Sequence, residues 1–161
     1  MHRLVTGRAL VLGGIEIPFD RGLEGHSDGD ALLHAVADAL LGAIGDGDLG
    51  RHFPSSDERW RGAASGRILS EVVDRVGAAG YAVENLDATI VAQVPRLAPH
   101  QQAMHANLAR LLGCEARRVN LKVTSTDRLG AIGREEGILG MATVLLCEKQ
   151  GLQEKVSGKT A

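Results

Sequence analysis

Leu32, Leu33, Val36, Ala37, Leu40 and Leu41 recur at the three- and four-residue steps of one helix face and predict a helix from about Asp30 to Ala43. Asp30, His34 and Asp38, four residues apart, fall on another face, so one stripe packs while the other is free for chemistry. Ahead of this helix, Arg8 to Ile17 (RALVLGGIEI) reads as a hairpin-like pair of short strands, with Gly13 and Gly14 at the turn or a bulge and Pro18 ending it. A second helix is predicted from about Ser65, as its cap, to Ala79, closed by Gly80. Leu86 to Val94 is strand-like and stops at Pro95. Pro99 opens a third helix that runs to Leu112 and ends at Gly113. Val119 to Ser125 and Ile138 to Cys147 give two more strands. Gln150 to Ala161 has little to bury and reads as a disordered polar tail, which leaves residues 1–149 as one domain. The mixed order of strands and helices predicts an α+β fold, a mixed sheet with helices packed on one face.

Composition narrows the partners. At 161 residues and 44% hydrophobic content, the chain can build a single core. Eighteen basic against twenty acidic residues give a formal charge of −2, which argues against a nucleic-acid or anionic-membrane footprint. Cys114 and Cys147 form no CxxC pair and read as free thiols of a reducing cytoplasm. The N-terminus lacks a signal-peptide pattern, and no stretch reaches the ~18 apolar residues of a membrane span, so the expectation is a soluble cytoplasmic protein.

Both ends of the first helix carry polar, glycine-rich loops: His26, Ser27 and Asp28 before it, and Gly45, Asp46, Gly47, Asp48, Leu49 and Gly50 after it. Taken alone, His34 is a hydrogen-bonded helix histidine, HSDG is a capping turn and Asp46 is a solvated turn carboxylate. Their company changes the reading. HSDGD (His26 to Asp30), LLHA (Leu32 to Ala35), DALLGA (Asp38 to Ala43), GDLG (Gly47 to Gly50), HFPSSD (His52 to Asp57), AQVPRLAPH (Ala92 to His100) and the Lys122 to Arg134 segment resemble, in order and spacing, the 2-C-methyl-D-erythritol 2,4-cyclodiphosphate synthases. The resemblance covers about His2 to Leu146.

That resemblance implies a homotrimer with active sites between subunits. The implied reaction is a lyase-type intramolecular phosphoryl transfer of non-mevalonate isoprenoid biosynthesis. It closes a cytidine diphosphate-linked methylerythritol 2-phosphate into a cyclic diphosphate and releases CMP. One phosphate attacking another accumulates negative charge, so metals, donors and positioning should carry the catalysis. By the resemblance, His2 and His34 are ligands of Zn2+ or another divalent transition metal, and His2 also borders the substrate. His26, a catalytic residue, and Ser27 lie in a loop that contacts the diphosphate. Asp48, Leu49 and Gly50 hold the methylerythritol hydroxyls beside Phe53, Pro54, Ser55, Ser56 and Asp57. Ala92, Arg96, Leu97 and Ala98 form a cytidine pocket supplied by a neighbouring subunit. Thr124, Ser125 and Asp127 match a Thr-Thr-x-Glu motif in which Ser125 is catalytic and Asp127 helps hold Mg2+ or Mn2+ on the diphosphate. Ala131 and Arg134 complete the substrate-binding set.

The chain also departs from the family pattern. The family's initial strand ends in Asp-x-His, and its Asp, a third zinc ligand, has no counterpart ahead of Met1 and His2. That N-terminal strand is missing as well, which leaves two readings open, a misplaced start codon or a diverged relative, with Asp28 or Asp30 as a conceivable substitute ligand. Ser125 and Asp127 replace Thr and Glu, Ala131 stands where an aromatic is usual, and Ala64 and Gly66 replace polar residues. Three functions are therefore weighed. They are the synthase, a weakened homologue binding cytidine nucleotide or isoprenoid phosphates, and an unrelated metal-dependent phosphohydrolase, which the motif order disfavours.

Overall fold

The structure, a computed structural model, describes residues 1–149; the tail expected at Gln150 to Ala161 lies outside them. The chain runs through β1 (His2–Thr6), β2 (Leu10–Leu12), β3 (Ile15–Ile17), β4 (Arg21–Leu23), α1 (Ala31–Ala43), α2 (Leu49–His52) and α3 (Ser65–Ala78). It continues through β5 (Tyr81–Val91), α4 (Gln101–Leu112), β6 (Val119–Thr124), α5 (Gly130–Gly133) and β7 (Gly137–Glu148), with 3-10 turns at Glu58–Trp60, Ala98–His100 and Ala116–Arg118.

β2 and β3 form the expected hairpin, pairing Leu10 with Ile17 and Leu12 with Ile15. Gly13 and Gly14 both have positive φ, +59° and +72°, as a tight two-residue hairpin turn requires. The main sheet has the order β4-β1-β7-β5-β6. β5 and β6 are parallel, joined across α4, and the other neighbours are antiparallel. Alternation then separates two faces. Leu86, Ala88 and Ile90 of β5 and Val119 and Leu121 of β6 are buried in one core with Leu33, Leu40 and Leu41 of α1, Leu69 and Val72 of α3, and Leu108 of α4. Asn120, Lys122, Met141, Thr143 and Leu145 point the other way and are exposed. Each fully buried leucine contributes about 1.5–3 kcal/mol of transfer free energy, so α1, buried along one side, anchors the site it carries. At Gly140 on β7, an added Cβ would lie 2.2 Å from the Ala31 carbonyl oxygen, which shows how closely helix and sheet approach.

Three features differ from the pattern reading. β1 and β4 are not marked by it: they pair with each other from either side of the β2–β3 hairpin, with no tight turn between them such as Gly13 and Gly14 give β2 and β3. β5 begins at Tyr81 rather than Leu86 and ends at Val91 rather than Val94; a register shift between Val83 and Asn85 interrupts its alternation. The third helix begins as a 3-10 turn over Ala98–His100 before α4 proper. No helix among the described residues is long and apolar enough to cross a membrane.

Candidate active site

Asp30 caps α1. Its fully buried carboxylate accepts the N–H groups of Leu32 (3.1 Å) and Leu33 (3.0 Å) on one oxygen and of Gly14 (2.7 Å) on the other, tying the β2–β3 turn to the helix. Burial pushes this carboxyl up to about 7, against the pull of those N–H donors. Asp28 is equally engaged, accepting from the N–H of Asp30 (3.2 Å), the N–H of Ser65 (2.9 Å) and the Ser65 hydroxyl. The idea that either aspartate replaces a missing metal ligand is thus corrected: their oxygens fasten α1 and α3. Ser65, expected to cap α3 itself, instead sits in the first turn while Asp28 takes its N–H.

α1 brings His34 against His2 of β1. His2 Nε2 and His34 Nδ1 are 2.9 Å apart, and the rings meet edge-on. The opposite nitrogens decide the tautomers. His2 Nδ1 lies 2.8 Å from the Glu24 carbonyl oxygen, which can only accept, so Nδ1 carries the proton. His34 Nε2 lies 2.9 Å from Ser65 Oγ, whose own proton goes to Asp28, so Nε2 donates there. Ser27 Oγ sits 3.2 Å from the same nitrogen. Two lone pairs therefore converge, an arrangement that suits a cation between them. Burial, with the neighbouring His2, lowers the pKa of His34 to about 4; burial also lowers that of His2, so both rings stay neutral and able to ligate near pH 7. The pair fits two corners of a divalent transition-metal site. Among the described residues no group of three His, Cys, Asp or Glu is placed to hold a metal.

Two cavities meet at this pair. One, of about 230 Å³, is lined by His26, Ser27, Gly50, Phe53 and Ser55 together with His2, His34, Leu49, Trp60 and Ile68. The other, of about 600 Å³, shares His2, His34 and Leu49 and adds Asp38 and Gly140. Asp38 accepts the Leu49 N–H (2.8 Å) and so positions α2. Asp48, exposed, caps α2 by accepting from the Arg51 N–H (2.9 Å). Asp57 binds the Arg59 guanidinium at 2.6 Å, which holds its carboxyl below the usual carboxylate range, and its backbone carbonyl accepts from His26 Nε2 (3.1 Å). Asp48, Pro54, Ser56 and Asp57 border this region without lining either cavity. Asp46 is not merely solvated: its carboxylate lies 3.3 Å from His52 Nε2 and 3.5 Å from the Arg75 guanidinium.

The remaining expected residues assemble elsewhere. Parallel pairing of Val91 with Thr124 sets the two following loops side by side, with the Ala92 N–H donating to the Thr124 carbonyl (3.0 Å) and the Arg128 N–H to Gln93 Oε1 (3.0 Å). Ser125 Oγ donates to Asp127 Oδ1 (3.1 Å), and Asp127 and Arg128 both adopt positive φ. Arg96 and Ala98 are exposed, whereas the Leu97 side chain is buried in the core. Ala131 lies in α5, and the exposed Arg134 pairs with Glu136 at 2.7 Å. None of residues 92–98 or 124–134 lines the two cavities at His2 and His34. Glu24 and Trp60 were not singled out by the sequence, and Ser65 only as a helix cap; no motif signals a backbone carbonyl or a hydroxyl that orients a histidine from a distant element.

The fold and the histidine pair define the class: an α+β protein with a mixed sheet, helices on one face, and two imidazoles facing each other where two cavities meet. The chain belongs to the YgbB family, whose profile matches residues 1–147. A curated 2-C-methyl-D-erythritol 2,4-cyclodiphosphate synthase of Cupriavidus metallidurans is 54% identical over 94% of this chain and 90% of its own length. Among solved structures, the CDP-bound form of a 2C-methyl-D-erythritol-2,4-cyclodiphosphate synthase superposes with a TM-score of 0.84 at 39% identity, over 91% of this chain and 95% of that one. The bifunctional IspDF of Campylobacter jejuni superposes with a TM-score of 0.88 at 39% identity, covering 92% of this chain and 40% of that longer one. The relatives are enzymes, and this chain is an enzyme of the same kind.

Proposed function

We propose that this chain performs the synthase reaction on a cytidine diphosphate-linked methylerythritol 2-phosphate. An oxygen of the 2-phosphate attacks the diphosphate phosphorus bonded to the polyol. The bond from that phosphorus to the bridging oxygen breaks, CMP leaves with the bridging oxygen, and 2-C-methyl-D-erythritol 2,4-cyclodiphosphate remains. The observation that carries this reading is the meeting of the His2 Nε2 and His34 Nδ1 lone pairs beside a cavity lined by His26 and Ser27. Held by such a pair, Zn2+ or another divalent transition metal supplies Lewis-acid polarisation of a phosphoryl oxygen.

The chain's own groups bind and orient. Glu24 and Ser65 fix the two imidazole tautomers, while His26 and Ser27 present donors to the diphosphate. Asp48 and the backbone of Leu49 and Gly50 bracket the polyol hydroxyls, with Phe53 to Asp57 walling the site. Ser125 Oγ, released from Asp127, donates to the diphosphate, and the exposed Asp127 carboxylate would help hold Mg2+ or Mn2+, which would offset the diphosphate's charge. The backbone at Ala92, Leu97 and Ala98 takes the cytosine, and Arg96 and Arg134 offset phosphate charge. Neither cavity at His2 and His34 is lined by any of residues 92–98 or 124–134, and the free sheet face carries exposed Met141 and Leu145. Both features support a homotrimer in which one subunit's 92–134 loops complete a neighbour's His2–His34 site. The formal charge of −2 fits a soluble, cytoplasmic enzyme of small anionic substrates bound locally.

Chromatographic assay of CMP release tests this reading. The wild-type chain is expected to convert the substrate with added divalent cation, and His34→Ala to lose about a hundredfold, some 2.7 kcal/mol of transition-state stabilisation. Equal rates in the two proteins would contradict the assignment.

A further inference from the structure

Trp60 is the single tryptophan of the chain, only 5% exposed, and it lines the cavity that holds His26, Ser27 and Phe53. Its ring is fixed: Phe53 meets it edge-on at 4.9 Å between centroids, and the Arg67 guanidinium lies 5.1 Å from its centroid. Its indole nitrogen is nevertheless the one buried side-chain nitrogen or oxygen among the described residues without a hydrogen-bond partner. An unpaired buried donor is costly, and a phenylalanine ring would make the same aromatic and cation contacts without it. The turn carrying Trp60 is also tied to the histidine loop, because the Gly62 N–H donates to the His26 carbonyl (2.7 Å) and the Asp28 N–H to the Ala63 carbonyl (3.1 Å).

We propose that the Trp60 indole N–H is a substrate-binding donor, kept for an acceptor oxygen at the polyol-phosphate end of the ligand. The inference rests on the synthase reading above. It assigns the N–H to the polyol-phosphate end because the cavity Trp60 lines is walled by His26, Ser27, Leu49, Gly50, Phe53 and Ser55 and by none of residues 92–98. The nitrogen is closed off while the cavity is empty, so the lining over it must part as the polyol phosphate enters; the ligand oxygen then satisfies a donor that is otherwise orphaned, and the contact is lost when the product leaves.

The substitution Trp60→Phe removes the N–H and keeps the ring. It is expected to raise KM about tenfold with a much smaller change in kcat, the signature of a lost binding contact. Because no other tryptophan contributes, the wild-type emission reads the same site. Saturating 2-C-methyl-D-erythritol 2,4-cyclodiphosphate should shift it, and CMP alone should not. An unchanged KM in a folded, active Trp60→Phe protein overturns the proposal, as does an emission shift produced in full by CMP alone. If the variant fails to fold, the emission titration of the wild type decides. A wild type that releases no CMP from the substrate would instead sink the synthase reading itself, a result distinguishable from an active enzyme indifferent to Trp60.

Discussion

His2 and His34 owe their chemistry to partners that fix which nitrogen is free: a carbonyl at Glu24 for one ring and the Ser65–Asp28 relay for the other. Removing one ligand should therefore empty the pair. Wild-type protein dialysed after loading with Zn2+ is expected to keep about one metal per chain, and His34→Ala to keep none, as measured by elemental analysis. Equal contents would make His34 structural. Asp30 gives a second residue-scale expectation. The folded protein holds its proton up to about pH 7, whereas an unfolded aspartate releases it near 3.8, so across that window the unfolded state binds fewer protons and stability falls as pH rises. Urea denaturation between pH 4 and 7 should show a flatter dependence for Asp30→Asn than for wild type. Parallel curves would mean the buried carboxyl ionises normally. At this scale the helix stripe and motif spacing made His34, His26 and Ser27 legible. The orientation of Asp28 and Asp30 was not legible, because a sequence does not say which backbone N–H groups a carboxylate will meet.

The helices were legible as elements because their apolar residues recur with a helical period and Pro99, Gly80 and Gly113 mark their ends. Not every short strand was. The three-residue β2 and β3 were legible through the Gly13–Gly14 turn between them, whereas no tight turn joins β1 to β4, yet β1 carries His2 into the site. The seat of α1 on β7 depends on Gly140, since the Ala31 carbonyl occupies the space a Cβ would need. Gly140→Ala should force helix and strand apart, costing about 1–3 kcal/mol of stability in denaturant titration and weakening metal retention at the neighbouring pair. A variant as stable as wild type would show that the helix can shift freely without loss.

On the scale of the whole molecule, one sheet face is buried beneath helices while the other leaves Met141 at 55% and Leu145 at 60% exposure. Light scattering should give a particle about three times the 17.0 kDa chain mass. Met141→Glu combined with Leu145→Glu should reduce it to a single folded chain and abolish CMP release, because the 92–134 loops would no longer reach a neighbour's histidine pair. A trimer unaffected by both charges would place the interface elsewhere.

The central claim is intramolecular closure on the His2–His34 site rather than hydrolysis, and phosphorus NMR of the reaction mixture tests it most directly. One CMP is expected for each molecule of cyclic diphosphate, whose two phosphorus resonances are coupled to each other, with both products missing when His34→Ala replaces the wild type. CMP accompanied by an acyclic methylerythritol bisphosphate, or cyclic product formed equally well by His34→Ala, would contradict it.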